Sequence, residues 1–328
     1  MEKAPLHLTY ISPDNAMLVS VVIPAFNQAA YLKEALASVL VQTHRELEIL
    51  VVDDGSTDDT FAVCEEMNDG RLRYVLQAND GTGGIGARNH AMLLAHGEWI
   101  ALLDQDDRWA PDKLEKQLRR AEQVPEAAAI FCRVRFMDGA GHITGEQQSS
   151  LPEGDVFHSL LAKNRYYSVS GMFRRELLPV IGLPHAWSGL GDHALWLTVA
   201  RHAPVAAVDE ILADYRIHEQ GYQESQRRNG LLRFARDCWR LTMFESALLH
   251  ENCRLCRKEH ARARRGVAKS YLRAVRVQWR ARQYDGSFAA LRCALMISPG
   301  WILQPWNLLQ HAVQLTVAAI MGLMRPLR

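Results

Sequence analysis

Three apolar runs constrain this chain more than any other feature. Residues 18–23 (LVSVVI), 48–52 (EILVV) and 99–103 (WIALL) are too apolar for strands with one wet face. They belong inside a parallel sheet covered on both sides. Each stops on polar, turn-forming or acidic residues: Pro24, Ala25, Phe26 and Asn27 after the first, Asp53 and Asp54 after the second, Asp104, Asp106 and Asp107 after the third. Helical spacing follows the first run, with Ala30, Leu32, Ala35, Leu36, Val39 and Leu40 on one stripe over 28–42. A second helix reaches Asn68, capped by Ser56 or Thr57, and residues 71–77 form another strand. The order β-α-β-α-β-loop-α-β predicts an α/β fold with a Rossmann-like, doubly wound, mostly parallel sheet. Ligands of such sheets sit beyond the carboxyl ends of the strands, where these polar residues converge.

The stretch 97–112 (GEWIALLDQDDRWAPD) is the most chemically pointed, because a buried strand runs straight into three carboxylates. Such a cluster either places oxygen ligands for a hard cation or forms a solvated acidic turn with Asp107 or Asp112 as a helix cap. Beyond it, the pattern predicts a helix over 111–124, a strand over 127–137, a surface loop over 138–154 and a strand over 166–173. Gly189, Gly191, Asp192 and His193 open a helix with Leu195, Trp196, Val199 and Ala200 on its apolar face, and residues 211–218 form a strand ending on His218.

From Gln223 the period becomes helical, over 225–257, 259–283 and 285–297. The chain of 328 residues therefore divides into a loose arm (1–17), an α/β domain (18–221) and a helical region (222–328). Charge follows the same division. Residues 1–220 carry 19 basic and 31 acidic groups, and residues 221–328 carry 19 basic and 6 acidic. The basic region is expected to face something anionic. Six cysteines at irregular spacing fit a reducing compartment. His250, Cys253, Cys256 and His260 share one helical stripe but spread over about 15 Å, too far to converge on zinc.

Residues 81–86 (GTGGIG) match the dinucleotide fingerprint, with Asp104 further on. The loop does not leave its strand in a tight turn, because Ala78, Asn79 and Asp80 intervene, and the fingerprint leaves the acidic clusters unexplained. A flexible loop beside a ligand site is the simpler account.

The segments VSVVIPAFNQAAYLKEALASVLVQTHRELEILVVDDGSTDDT and GARNHAMLLAHGEWIALLDQDDRWAPDKLEKQ closely resemble the family 2 glycosyltransferases, nucleotide-diphospho-sugar enzymes of the GT-A fold. The resemblance covers residues 18–218. It implies that Pro24, Ala25, Phe26 and Asn27 border the donor nucleotide and that Asp54, with Asp53 beside it, meets the base. It implies that Arg88 lies near the donor diphosphate, that Asp104 faces ribose or sugar, and that Asp106 of the D-x-D motif ligates Mg²⁺ or Mn²⁺. Asp192 matches the second residue of the Glu-Asp pair that supplies the catalytic base, although Gly191 stands where Glu is usual. His218 matches a late histidine that approaches the metal or diphosphate.

These implied roles suit the residue types. A leaving diphosphate is neutralised by a hard cation on carboxylates, and an attacking hydroxyl loses its proton to a positioned base. Asp192 also reads as an ordinary helix N-cap, and His218 as a strand-end histidine packed on its neighbour. The expected activity is an inverting, metal-dependent transfer of a sugar from a UDP- or dTDP-linked donor to a glycan or lipid-linked acceptor, in cell-surface polysaccharide or glycolipid synthesis. The alternatives are a non-catalytic sugar-nucleotide-binding module and an NAD-dependent oxidoreductase resting on the glycine loop. Residues 293–324 lack charge but are interrupted by Pro299 and Pro305, so no transmembrane helix is expected. The Arg-rich tail with Trp301 and Trp306 fits either a solvated helical bundle or a peripheral contact at the inner face of the cell membrane. A cytoplasmic location and no nucleic-acid partner are expected.

Overall fold

The computed structural model describes residues 17–181 except 80, 82 and 163, residues 191–219 and 221, and scattered positions between 265 and 295. The chain forms two compact units, one of Met1–Val156 with Arg165–Tyr222, the other of Phe157–Asn164 with Gln223–Arg328. In the first unit the apolar runs become β1 (Val19–Ala25), β2 (Leu47–Asp53) and β4 (Trp99–Leu102), with β3 (Leu72–Leu76) beside β2. All four run parallel, in the order β3-β2-β1-β4. Their crossovers are α1 (Ala29–Leu40), α2 (Thr60–Met67) and α3 (Ile85–Leu94). Leu32, Ala35, Leu36 and Val39 bury the predicted face of α1, and β1, β2 and β4 are almost wholly buried.

Past β4 the sheet turns mixed. It continues through β8 (Met172–Arg174), antiparallel to β4, then β6 (Ala129–Met137), β9 (Val205–Arg216) and the two-residue β5 (Arg108–Trp109). The helix α4 (Lys113–Gln123) precedes β6 and buries Leu114, Gln117, Leu118 and Ala121. The stretch read as the loop 138–154 contains β7 (Ile143–Glu146), an edge strand on β6 that exposed polar neighbours disguise. The strand expected over 166–173 is a 3-10 turn, Ser168–Ser170, followed by β8. Between these lie the short helices α5 (Phe157–Ala162), which belongs with the second unit, and α6 (Leu178–Ile181).

The helix α7 (Gly191–His202) begins where the sequence predicts, but β9 starts six residues earlier than Ile211, at Val205. Asp209 and Glu210 hid this. They are bulged out of the β6–β9 register between the pairs Cys132–Val208 and Arg133–Ile211, and they pair instead with Arg133 and Lys116. The cap of α2 also differs. Asp58, not Ser56 or Thr57, receives the Thr60 N–H, because the two hydroxyl residues are drawn to Asn27.

The predicted helices of 222–328 fall largely outside the described residues, as do the arm, residues 182–190 and the stripe of His250, Cys253, Cys256 and His260. Within the second unit, Ala268, Tyr271, Leu272 and Val275 are buried at helical spacing. Among the described residues no helix is long and apolar enough to cross a membrane.

Gly171 shows how tightly the 3-10 turn is seated. A Cβ there would lie 2.7 Å from both Phe131 and Trp196, the latter on α7. Gly171→Ala is expected to destabilise the domain by about 1–3 kcal/mol through overpacking, seen as a lower urea midpoint at unchanged m-value.

Candidate active site

The carboxyl ends of β1, β2 and β4 meet in one cleft, and each is pinned by side chains. Asn27, at φ 48°, accepts the Thr57 N–H at 2.7 Å, and its own N–H donates to Ser56 Oγ at 2.9 Å. Pro24 and Ala25 close β1, where the Ala25 carbonyl accepts the Asp54 N–H at 2.8 Å. Gln105, the middle residue of D-x-D, forms a two-point clamp on Phe26. It accepts the Phe26 N–H at 2.8 Å and donates to the Phe26 carbonyl at 3.0 Å. Phe26 itself remains 41% exposed at the cleft mouth.

The two β2 acids divide by role. Asp53 is buried with both oxygens engaged, one by the Ser56 N–H at 2.8 Å and one by the Tyr74 hydroxyl at 2.7 Å. It holds the turn. Asp54 accepts from Gln77 Nε2 at 2.7 Å, and Gln77 Oε1 lies 2.9 Å from His90 Nδ1 on α3.

At the end of β4 the three acids divide likewise. Asp104 and Asp106 are partly exposed, at 27% and 21% of their side chains. Arg88 Nη2 donates to Asp104 at 2.5 Å, and His218 Nε2 lies 2.9 Å from Asp106 Oδ2. Asp107 is buried. Its Oδ1 accepts the Arg216 N–H at 2.8 Å, while Oδ2 finds no hydrogen-bond partner among the described residues. Burial first, then the charges of Asp106 and Asp104, push its carboxyl well above the usual range.

Arg216, at the end of β9, ties these parts together. Its guanidinium donates to the Asp106 carbonyl at 2.7 Å, the Gly139 carbonyl at 3.0 Å and Glu34 at 2.6 Å, and it lies over the Tyr31 ring at 4.5 Å. Tyr31 in turn meets His218 edge-on at 5.0 Å. The Tyr-Arg-Ile-His segment had drawn notice only for its histidine.

Asp192 opens α7 and receives backbone N–H groups from His193 and from Ser168 in the 3-10 turn. That turn is held from below by buried side chains. Trp109 Nε1 donates to the Val169 carbonyl at 3.0 Å, and Gln117 Nε2 donates to the Ser170 carbonyl at 2.9 Å. Burial raises the Asp192 carboxyl to about 6; the Arg88 charge opposes this and the Asp104 charge adds to it. The structure therefore brings Asp192, Arg88, Asp104, Asp106 and His218 to one cleft edge, from segments far apart in sequence.

Among the described residues no three acidic, histidine or cysteine side chains gather to hold a metal alone. The donor set nevertheless fits a hard cation shared with a ligand. Asp106 offers a carboxylate oxygen beside the His218 imidazole, and phosphate oxygens would supply the remaining positions. The glycine loop follows another logic than the dinucleotide turn. Gly81, Gly83 and Gly84 all adopt positive φ, and Gly84 leads into α3, but β3 has already ended at Leu76.

A parallel sheet whose strand ends carry a carboxylate pair, facing a raised carboxyl on a later helix, defines a GT-A-type domain. The chain belongs to glycosyltransferase family 2: the family model described as Glycosyl transferase family 2 matches residues 20–182. It is 32% identical over 204 residues to the putative teichuronic acid biosynthesis glycosyltransferase TuaG of Bacillus subtilis, covering 61% of this chain and 79% of TuaG. It is 28% identical over 215 residues to the UDP-Glc:alpha-D-GlcNAc-diphosphoundecaprenol beta-1,3-glucosyltransferase WfgD of Escherichia coli, covering 64% and 81%. Other curated relatives are longer, and the chain spans 65% of one from Nostoc and 33% of two from Rickettsia. The fold is similar to the mannosyltransferase PcManGT of Pyrobaculum calidifontis, solved with GDP-Man and Mn²⁺, with TM-score 0.56 at 20% identity over 95% of this chain and 88% of that one.

Asp107 yields a test of the acidic cluster. Its folded pKa is raised, so the stability it contributes is present below the unfolded value near 4 and is lost as pH rises through the folded value. Asp107→Asn keeps an acceptor for the Arg216 N–H and cannot ionise. Its stability relative to the parent, measured by urea unfolding, is expected to improve as pH rises from about 4 and to level off once Asp107 ionises in the folded parent.

Proposed function

We propose that the chain transfers a sugar from a nucleoside-diphosphate sugar to an acceptor hydroxyl in one displacement, with inversion at the anomeric carbon. The observation that carries this is Asp192: a carboxyl raised to about 6, within charge reach of Asp104 and Arg88. A carboxyl in that range is poised to accept a proton near neutral pH, as an unperturbed Asp is not. Asp192 takes the acceptor proton as the acceptor oxygen attacks the anomeric carbon. The bond from that carbon to the diphosphate oxygen breaks on the opposite face, and its electron pair leaves with the diphosphate.

Arg88, paired with Asp104, directs positive charge toward that leaving group and orients the carboxylate that meets the ribose or sugar. Pro24, Ala25, Phe26, Asn27 and Asp54 border the nucleotide, and Asp53 supports them through the turn. A Mg²⁺ or Mn²⁺ ion held by Asp106 and His218 with diphosphate oxygens would supply electrophilic neutralisation. PcManGT, solved with GDP-Man and Mn²⁺, lends support to metal use. The donor is a UDP- or dTDP-linked sugar.

The acceptor is a glycan or a lipid-linked acceptor of cell-surface polysaccharide or glycolipid synthesis, in keeping with what TuaG and WfgD are named for. In this reading residues 18–221 are the catalytic domain. The basic 222–328 region brings it to the inner membrane face as a cytoplasmic, peripheral enzyme.

Asp192→Asn is expected to lower the rate of nucleoside diphosphate release with acceptor by about 10²–10⁴-fold, with donor affinity nearly unchanged. Near-normal turnover in that variant would remove Asp192 as the base. In the parent enzyme kcat is expected to fall about tenfold per pH unit below about 6, as Asp192 becomes protonated. Asp106→Ala is expected to abolish Mn²⁺-stimulated turnover and to weaken donor binding measured calorimetrically with Mn²⁺ present.

A further inference from the structure

Beside Asp192 stands a group of three aromatic rings that the donor chemistry leaves unused. Phe136 on β6 and Tyr215 on β9 are register partners on adjacent parallel strands, so they share a face of the sheet. Tyr167, just ahead of the 3-10 turn, packs against both, with ring centroids 5.6 Å from Phe136 and 4.9 Å from Tyr215. Phe136 and Tyr215 complete the triangle at 6.5 Å. All three are only partly buried, each with one side packed on the hydrophobic core.

Their neighbours in sequence fix where this cluster stands. Tyr167 precedes Ser168, whose N–H donates to the Asp192 carboxylate. Tyr215 precedes Arg216, whose N–H and guanidinium hold Asp107 and the Asp106 main chain. The rings thus bridge the base and the D-x-D end of β4. Burial raises both phenols; the Asp192 charge adds to this in Tyr167, and in Tyr215 the charges of Asp107, Asp106 and Asp104 add first and that of Asp192 last. Ser168 adds a second observation: its hydroxyl is buried and has no hydrogen-bond partner among the described residues.

We propose that Phe136, Tyr167 and Tyr215 form the platform on which a pyranose ring of the acceptor stacks, with the Ser168 hydroxyl and Asp192 meeting its hydroxyl groups. The inference rests on the transferase reading above and specifies its acceptor as a glycoside, not a bare lipid alcohol. A pyranose presents one face of C–H groups to aromatic rings and a rim of hydroxyls to polar partners, and this cluster offers both. The reacting hydroxyl must reach Asp192 to lose its proton, so the ring that carries it has to sit beside that residue. The rings that flank Asp192 are these.

The test uses the whole 328-residue chain with Mn²⁺ and with UDP-glucose, UDP-N-acetylglucosamine, dTDP-glucose, dTDP-rhamnose and GDP-mannose as donors. The acceptors are octyl glycosides of glucose, galactose, mannose and N-acetylglucosamine, with octanol as the non-sugar alcohol. Transfer to at least one glycoside and none to octanol is expected. Tyr167→Leu and Phe136→Leu are each expected to raise the acceptor KM by about tenfold. Donor KM stays within a factor of about two, because the platform contacts the acceptor alone. Tyr167→Phe, which keeps the ring, is expected to raise acceptor KM by about threefold or less, the loss of one hydrogen bond. Equal losses in Tyr167→Phe and Tyr167→Leu would assign the effect to the hydroxyl and overturn the platform. Transfer with unchanged acceptor KM in both Leu variants, transfer to octanol, or donor turnover with no glycoside accepted would overturn it while leaving the transferase reading standing. Release of nucleoside diphosphate from no donor by the parent chain would instead sink that reading, and the platform with it.

Discussion

Three carboxylates within four residues repel one another, and the site depends on how that repulsion is managed. The fold buries Asp107, leaves Asp104 and Asp106 partly exposed, and places the Arg216 guanidinium across the main chain between them. A buried guanidinium is costly unless its donors are satisfied, and here Glu34, the Asp106 carbonyl and the Gly139 carbonyl satisfy it. The strand that carries Arg216 ends there, two residues short of the expected His218, which follows in the next turn of chain. One segment therefore sets both the spacing of the acids and the imidazole beside Asp106. Removing Arg216 would loosen the geometry on which every later step relies.

The Asp192 side of the cleft is built on a comparable scaffold. Asp192 has its carboxylate met by the Ser168 N–H, and the turn containing Ser168 is fastened by Trp109 and Gln117. Lys113 lies beneath the same region, bonded to Gln117 at 2.7 Å and 4.0 Å from the Trp109 ring, with burial bringing its ammonium down to about 8. Gly171 lets the turn approach Phe131 and Trp196 closely. Burial is what raises Asp192, so the chemistry of one carboxyl is an outcome of the packing around it.

Much of the parallel half was legible, because strands buried on both faces have no polar alternation and helices between them carry a single apolar stripe. The carboxylates at their ends were legible for the same reason: the run of apolar residues stops abruptly. The mixed half was harder. The bulge at Asp209 and Glu210 broke the apolar pattern of β9, and an exposed edge strand such as β7 has little periodicity to read. Local capping was misjudged at α2, since Ser56 and Thr57 were engaged by Asn27 from another turn. Supporting contacts such as Gln105 on Phe26, Tyr74 on Asp53 and Gln77 on Asp54 leave no local signature at all.

The sequence by itself determined the strand and helix order of the first unit, the family to which the chain belongs, and the identity of the chemically capable residues. It could do so because burial and secondary-structure period are written in neighbouring residues. Only the tertiary structure decided which of the acids are available to a ligand and which are committed to the fold. It also brought Tyr167 and Tyr215 beside Asp192 and set Arg216 across the 104–107 acids. Exposure, charge coupling and hydrogen-bond partnership arise between residues tens to more than a hundred positions apart, and no local pattern encodes them.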